Sequence, residues 1–264
     1  MLDITKILSD KFTERLVDGF RSAFGDDHTD YENLIKNNAE QIIRLISGSN
    51  TLYHNVEHTI QVTLVGQAIL QGKRIVDDSV TPQIWLNFIM SLLCHDIGYA
   101  SGICSSDPQE KTLLRTSDAM LMSVHIDRGK QFVAETFSEQ SGIEVEFIQE
   151  CIERTRFPVG ATEEAQQTSD FPGLVRGADL VGQVSDPRYI NKLPAVFFEF
   201  EESGFNEITG YKQPGDLLKN YVDFYERSVQ PYVQESVDYL TKTPVGRDIL
   251  NHHDRNIALA IKSA

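Results

Sequence analysis

The chain has 264 residues, long for one average domain and short for two comfortable ones, and 41% of them are hydrophobic, enough for a core without disulfide or metal staples. A formal charge of −15 makes the surface acidic. That excludes general binding to phosphate backbones, though not a small anion met by locally concentrated positive charge.

Cys94, Cys104 and Cys151 are an odd number without C-x-x-C spacing, which points to reduced thiols rather than a disulfide framework. The first residues are acidic early and lack an apolar core of signal-peptide type, so a cytoplasmic location is expected. The longest apolar run, Ile84 to Cys94, is interrupted by Asn87 and Ser91 and falls far short of a membrane span.

Helical periodicity dominates. Ile4 to Phe24 carries apolar residues at Ile4, Ile7, Leu8, Phe12, Leu16, Phe20 and Phe24, and Tyr31 to Ile46 repeats the pattern up to a breaker at Ser47–Asn50. Asn55 to Leu70 is predicted to end at Gly72, and Thr81-Pro82 to start a helix reaching Cys94. Gly98 to Asp107 reads as a loop. Further helices are expected over Gln109–Val124, Gly129–Glu139, Ile143–Arg154, Pro172–Val184, Pro187–Glu202, Leu217–Tyr239 and Val245–Ile261. No repeat or linker divides the chain. The expected fold is all-α, a single helical domain over residues 1–264 with about ten helices.

Two segments carry chemistry. In Tyr53-His54-Asn55-Val56-Glu57-His58 the histidines stand at i, i+4, one face of a helix. Cys94-His95-Asp96-Ile97-Gly98 ends an apolar helix, and burying His-Asp there is costly unless something such as a divalent cation satisfies both side chains. Asp179, within another apolar run, supplies a further carboxylate.

This H…HD…D order resembles the HD-domain metal-dependent phosphohydrolase superfamily, and Tyr-His-Asn-x-x-His is similar to the first motif of its cyclic-nucleotide phosphodiesterase branch. The resemblance covers residues 53–187, with the metal-site core at about 50–190 and helical extensions packed on it. It implies that His58, His95, Asp96 and Asp179 bind metal and that His54 protonates the leaving oxygen, making His54 and Asp96 the catalytic pair. Asp96 would bridge to a second ion, and a metal-bridging hydroxide would attack phosphorus. Mixed imidazole and carboxylate ligands suit Mn, Fe, Co, Ni or Zn at the main site, with Mg or Mn at a weaker second one.

The sequence departs from the phosphodiesterase pattern after His95-Asp96, where Gly98 and Tyr99 replace an acidic residue and a histidine, and no purine-clamping glutamine segment is found. His125 with Gly129 resembles an H-x-x-x-G second-metal element, but its companion histidine is absent and Thr155 stands near its place.

Lys111, Arg115, Arg154 and His125 are candidates to bind a small anionic phosphorylated substrate, against the plainer reading of solvated helix faces or a packed histidine. Arg176, one turn before Asp179, is a candidate either to ion-pair with it or to face substrate. Glu57 is a candidate to orient His54 or His58. His28 and His252-His253 are expected at the surface, with Trp85, Phe197, Phe198 and Phe200 in the core or at a subunit contact. The function expected is hydrolysis of a nucleotide or phosphodiester. The alternative is a non-catalytic metal- or nucleotide-binding regulatory module, and a di-iron oxygenase fits less well for want of histidines. Neither membrane association nor general nucleic-acid binding is expected, and homo-oligomerisation is left open.

Overall fold

A computed structural model describes residues 3–107 and 117–263, all helix and connecting loop. Lys111 and Arg115 lie outside the described residues. Asp3 caps α1 (Ile4–Phe24) by accepting from the Lys6 N–H at 3.1 Å, and α2 (Thr29–Ile46) packs back against it. α3 (Val56–Val76) is the central helix, packed on α4 (Pro82–Cys94) and on α8 (Phe171–Val184). Between these lie α5 (His125–Phe137), α6 (Val145–Arg154) and the single turn α7 (Glu163–Gln166).

The chain closes with α9 (Tyr189–Ser203), the short α10 (Phe205–Thr209), α11 (Pro214–Lys219) and α12 (Tyr221–Phe224), then α13 (Gln230–Leu240) and α14 (Pro244–Ser263). The architecture is all-α, with fourteen α-helices among the described residues rather than about ten. The surplus is α7, α10, α11 and α12, each too short to show a 3.6-residue period.

The expected helix over Leu217–Tyr239 is broken into α11, α12, a π-turn at Tyr225–Val229 and α13. Pro231 in the first turn of α13 lacks an amide N–H and forces the ladder to restart there. Gly72 does not end α3, which runs on to Val76. A Cβ at Gly72 would stand 2.0 Å from the Tyr239 carbonyl, so this glycine admits α13. Of the expected helix over Gln109–Val124, the described part is a 3₁₀ segment at Asp118–Ser123.

One cluster of buried apolar side chains extends from Phe12 to Ala260. The polar interruptions of α4 are satisfied within it: Ser91 Oγ donates to the Asn87 carbonyl at 2.8 Å, and Asn87 Nδ2 to the carbonyls of Gln83 and Gly142. Trp85 and Phe197 are core, whereas Phe198 is exposed. His253 is buried against Tyr225 rather than at the surface, and His28 packs on Phe20 and Phe24. All three cysteines are free and buried. Among the described residues no helix is long and apolar enough to cross a membrane.

Candidate metal centre

Three helices deliver the cluster. α4 ends at Cys94 because Asp96 leaves helical geometry and a 3₁₀ turn, Ile97–Tyr99, follows. His95 and Asp96 therefore project from the end of a helix buried from Trp85 to Cys94. α3 starts one residue after Asn55, whose side chain accepts from the Glu57 and His58 N–H groups. The cap sets His58 in the first turn, facing α4, while His54 lies in the preceding turn rather than in the helix. The two rings still approach, with centroids 5.5 Å apart, through the turn and not through an i, i+4 face. Asp179 reaches the same point from α8.

Four donor atoms converge. His58 Nε2 lies 3.4 Å from His95 Nε2, 3.3 Å from Asp96 Oδ2 and 3.4 Å from Asp179 Oδ1. His95 Nε2 lies 3.2 Å from Asp96 Oδ2 and 3.6 Å from Asp179 Oδ1. A cation with bonds of about 2.1 Å keeps tetrahedral donors about 3.4 Å apart, so the separations fit one ion. Asp96 Oδ2 is buried without a hydrogen-bond partner, an arrangement that costs stability unless a cation takes the oxygen. His58, His95 and Asp179 form a group able to hold a metal ion, and Asp96 Oδ2 stands beside both of its imidazole nitrogens.

The second nitrogens fix the tautomers. His95 Nδ1 bonds the Leu92 carbonyl at 2.6 Å and His125 Nδ1 the Met122 carbonyl at 2.6 Å, which leaves each Nε2 free to act as a ligand or acceptor. Without an ion, burial disfavours charge on His58 and His95, but Asp96 and Asp179 outweigh it. Both pKa values are raised, that of His95 to about 9. Burial also opposes charge on Asp96, yet the surrounding histidines hold it well below the usual carboxylate range.

His54 has a different partner. Its Nδ1 lies 2.5 Å from Glu199 Oε2, while Glu199 Oε1 accepts from the Tyr53 and His54 N–H groups at 2.5 and 3.1 Å. Glu199, on α9, is fully buried. Burial opposes protonation of His54, but Glu199 and Asp96 more than offset it and the pKa is raised.

Sequence reasoning missed Glu199. The available signal was an acidic residue set among Phe197, Phe198 and Phe200, where a carboxylate requires a partner. Glu57, the expected orienting group, instead pairs at the surface with Arg188 and, at 2.8 Å, with Lys192.

Gly98 and Tyr99 acquire physical roles here. A Cβ at Gly98 would stand 1.8 Å from the His125 carbonyl oxygen, so glycine is what lets α5 start beside Asp96. His125 Nε2 comes within 3.8 Å of Asp96 Oδ1. The Tyr99 ring stacks between two imidazoles, 4.8 Å from His54 and 4.4 Å from His125. Burial lowers the His125 pKa even though Asp96 opposes the shift.

A cavity of about 350 Å³ opens from His54, Asp96, His125 and Asp179. Arg154 is not in it: it lines a separate cavity and grips Asp170, the cap of α8, at 3.1–3.2 Å. Phe200, expected in the core or at a subunit contact, packs against the core and also lines the cavity.

Fold and site define an all-α protein with a candidate divalent-metal centre. The profile of the Npun_R2479-like family matches residues 2–262, and the chain belongs to that family. No curated protein matches the chain.

Proposed function

We propose that the chain is a metal-dependent phosphohydrolase of HD-domain type, cleaving a small phosphoester, a nucleotide or a phosphodiester. One observation carries this reading: a three-donor group with the orphaned Asp96 carboxylate oxygen beside it adjoins a cavity shared with a histidine backed by a buried carboxylate. His58, His95, Asp96 and Asp179 would hold the ion. Mn, Fe, Co, Ni or Zn suits them, and when bound such an ion supplies an activated water and charge neutralisation at the phosphoryl group.

The remaining chemistry belongs to the chain's own groups. Glu199 holds Nδ1–H of His54, so the imidazolium presents its Nε2–H, and the raised pKa favours that protonated form. Donation from Nε2 to the leaving oxygen makes His54 the general acid, and Glu199 offsets the charge of the protonated ring. Tyr99 fixes the plane of the imidazole by stacking and excludes water from that face.

Tyr99 also supports a second reading. Its ring stands between His54 and His125, where a second ion would draw its ligands, which suits a protein that binds metal and nucleotide without turnover. His95→Ala and Asp96→Ala separate the two readings. Hydrolysis of phosphomonoesters, cyclic and linear diesters and nucleotides by the wild type is expected to vanish in both variants in parallel with metal content. Full metal-dependent turnover in both would overturn the site, and a wild type that turns over no ester would favour the regulatory reading.

A further inference from the structure

The cavity beyond the metal end is built for carbon. Leu180, Val196, Phe200, Phe205 and Phe224 line it together with His54 and Asp179. A second cavity of about 280 Å³ shares Phe157, Gln183, Val196, Phe200, Phe205 and Phe224 with it. Both volumes are of the size that takes a ring system. Two large apolar side chains stand in water where the first cavity is lined, Ile208 at 80% exposure and Phe157 at 49%, and a bound apolar group would cover them.

Three of its polar side chains are already engaged. Thr155 Oγ1 donates to the Ile152 carbonyl at 2.8 Å, Ser203 Oγ to the Phe200 carbonyl at 3.2 Å, and Gln183 Nε2 to Tyr189 Oη at 2.5 Å.

The two arginines are held in place, although among the described residues Arg176 pairs with no carboxylate and its Nε has no partner. Of the described residues lining the cavity, Arg156 pairs with Glu153 and Asp127, while Arg176 donates to the Ala165 and Gln167 carbonyls and lies over Tyr232. Apolar side chains form the larger part of the lining.

We propose that the substrate's organic part is an apolar group of aryl size, seated against Phe200, Phe205 and Leu180 with its single phosphoryl group at the metal end. The inference rests on the phosphohydrolase reading for the placement of the phosphoryl group. It deepens that reading by selecting an aryl or comparably apolar phosphoester over a nucleotide.

Binding of stable phosphonates to the full-length, Mn- or Zn-loaded protein tests it, with turnover of the matching esters run in parallel. Affinity is expected to rise from methylphosphonate through benzylphosphonate to naphthylmethylphosphonate, by at least about tenfold over the series, and to exceed that for adenosine monophosphate. Phe200→Ser should flatten the series. Ile208→Ser, a change at an exposed position that leaves folding intact, should reduce the naphthyl step. A flat series, tighter binding of the nucleotide, or no binding of any phosphonate would overturn the inference. A steep series without hydrolysis of any ester would sustain it and instead overturn the catalytic reading.

Discussion

The two halves of the cleft both use histidine, and they use it in opposite senses. On the metal half, His95 and His125 give Nδ1 to backbone carbonyls, a neutral partner that leaves Nε2 as the nitrogen facing the cluster. On the acid half, His54 gives Nδ1 to Glu199, an anionic partner that stabilises the protonated ring. The same side chain thus becomes ligand or acid according to what stands behind it.

The strongest way to break this comparison is to remove the acid while keeping the ligands. His54→Gln is expected to lower kcat by about 10²–10⁴ with metal content unchanged, measured by steady-state kinetics beside elemental analysis. Loss of metal in that variant would merge the two halves into one.

Glu199→Gln sharpens it. The amide keeps an oxygen for the Tyr53 and His54 N–H groups but loses the charge, so kcat should drop by about 10–100-fold. Because Glu199 raises the His54 pKa, its neutralisation should move the alkaline limb of the pH–kcat profile to lower pH. An unmoved limb would leave Glu199 with a structural role alone.

The ligand half carries its own pH signature. In the metal-free protein His58 and His95 are held protonated by Asp96 and Asp179, so an incoming cation must displace those protons. Metal affinity, read by chelator competition, is expected to fall as pH drops below about 9, by about tenfold per unit for each proton released. The linked stability has the opposite slope. His95 has a raised folded-state pKa, so its contribution to the metal-free fold is complete below about 6.5 and disappears as pH rises through about 9. Thermal melts of chelated protein should show that decline.

The smallest effect is expected at Glu57. It lies beside His58 in sequence but pairs with Arg188 at the surface, so Glu57→Gln should leave kcat within about twofold.

Much of the ligand half was legible in the sequence. His58 and His95-Asp96 stand at the ends of strongly periodic apolar runs, where local geometry alone limits their direction, and Asp179 follows the same logic on α8. The acid half was half legible. His54 carries a motif, but Glu199 lies 145 positions away, near Glu201 and Glu202, which look alike in sequence. Only the packing of α9 against the turn at residues 51–55 separates the buried carboxylate from the others.

Arg154 failed as a substrate candidate for a similar reason, because its partner Asp170 is set by the position of the α8 cap and not by any period. The cavity wall was least legible of all. Phe200 and Leu180 are ordinary core residues by type, and their places on α9 and α8 turn them towards a cavity.

Metal content and phosphoester turnover, measured together on wild type, His95→Ala and His54→Gln, test the division most directly. One tightly held divalent ion per chain is expected in the wild type and in His54→Gln, with loss of that ion in His95→Ala and loss of turnover in both variants. Undiminished turnover in His54→Gln, or metal-dependent turnover at full rate in His95→Ala, would contradict it.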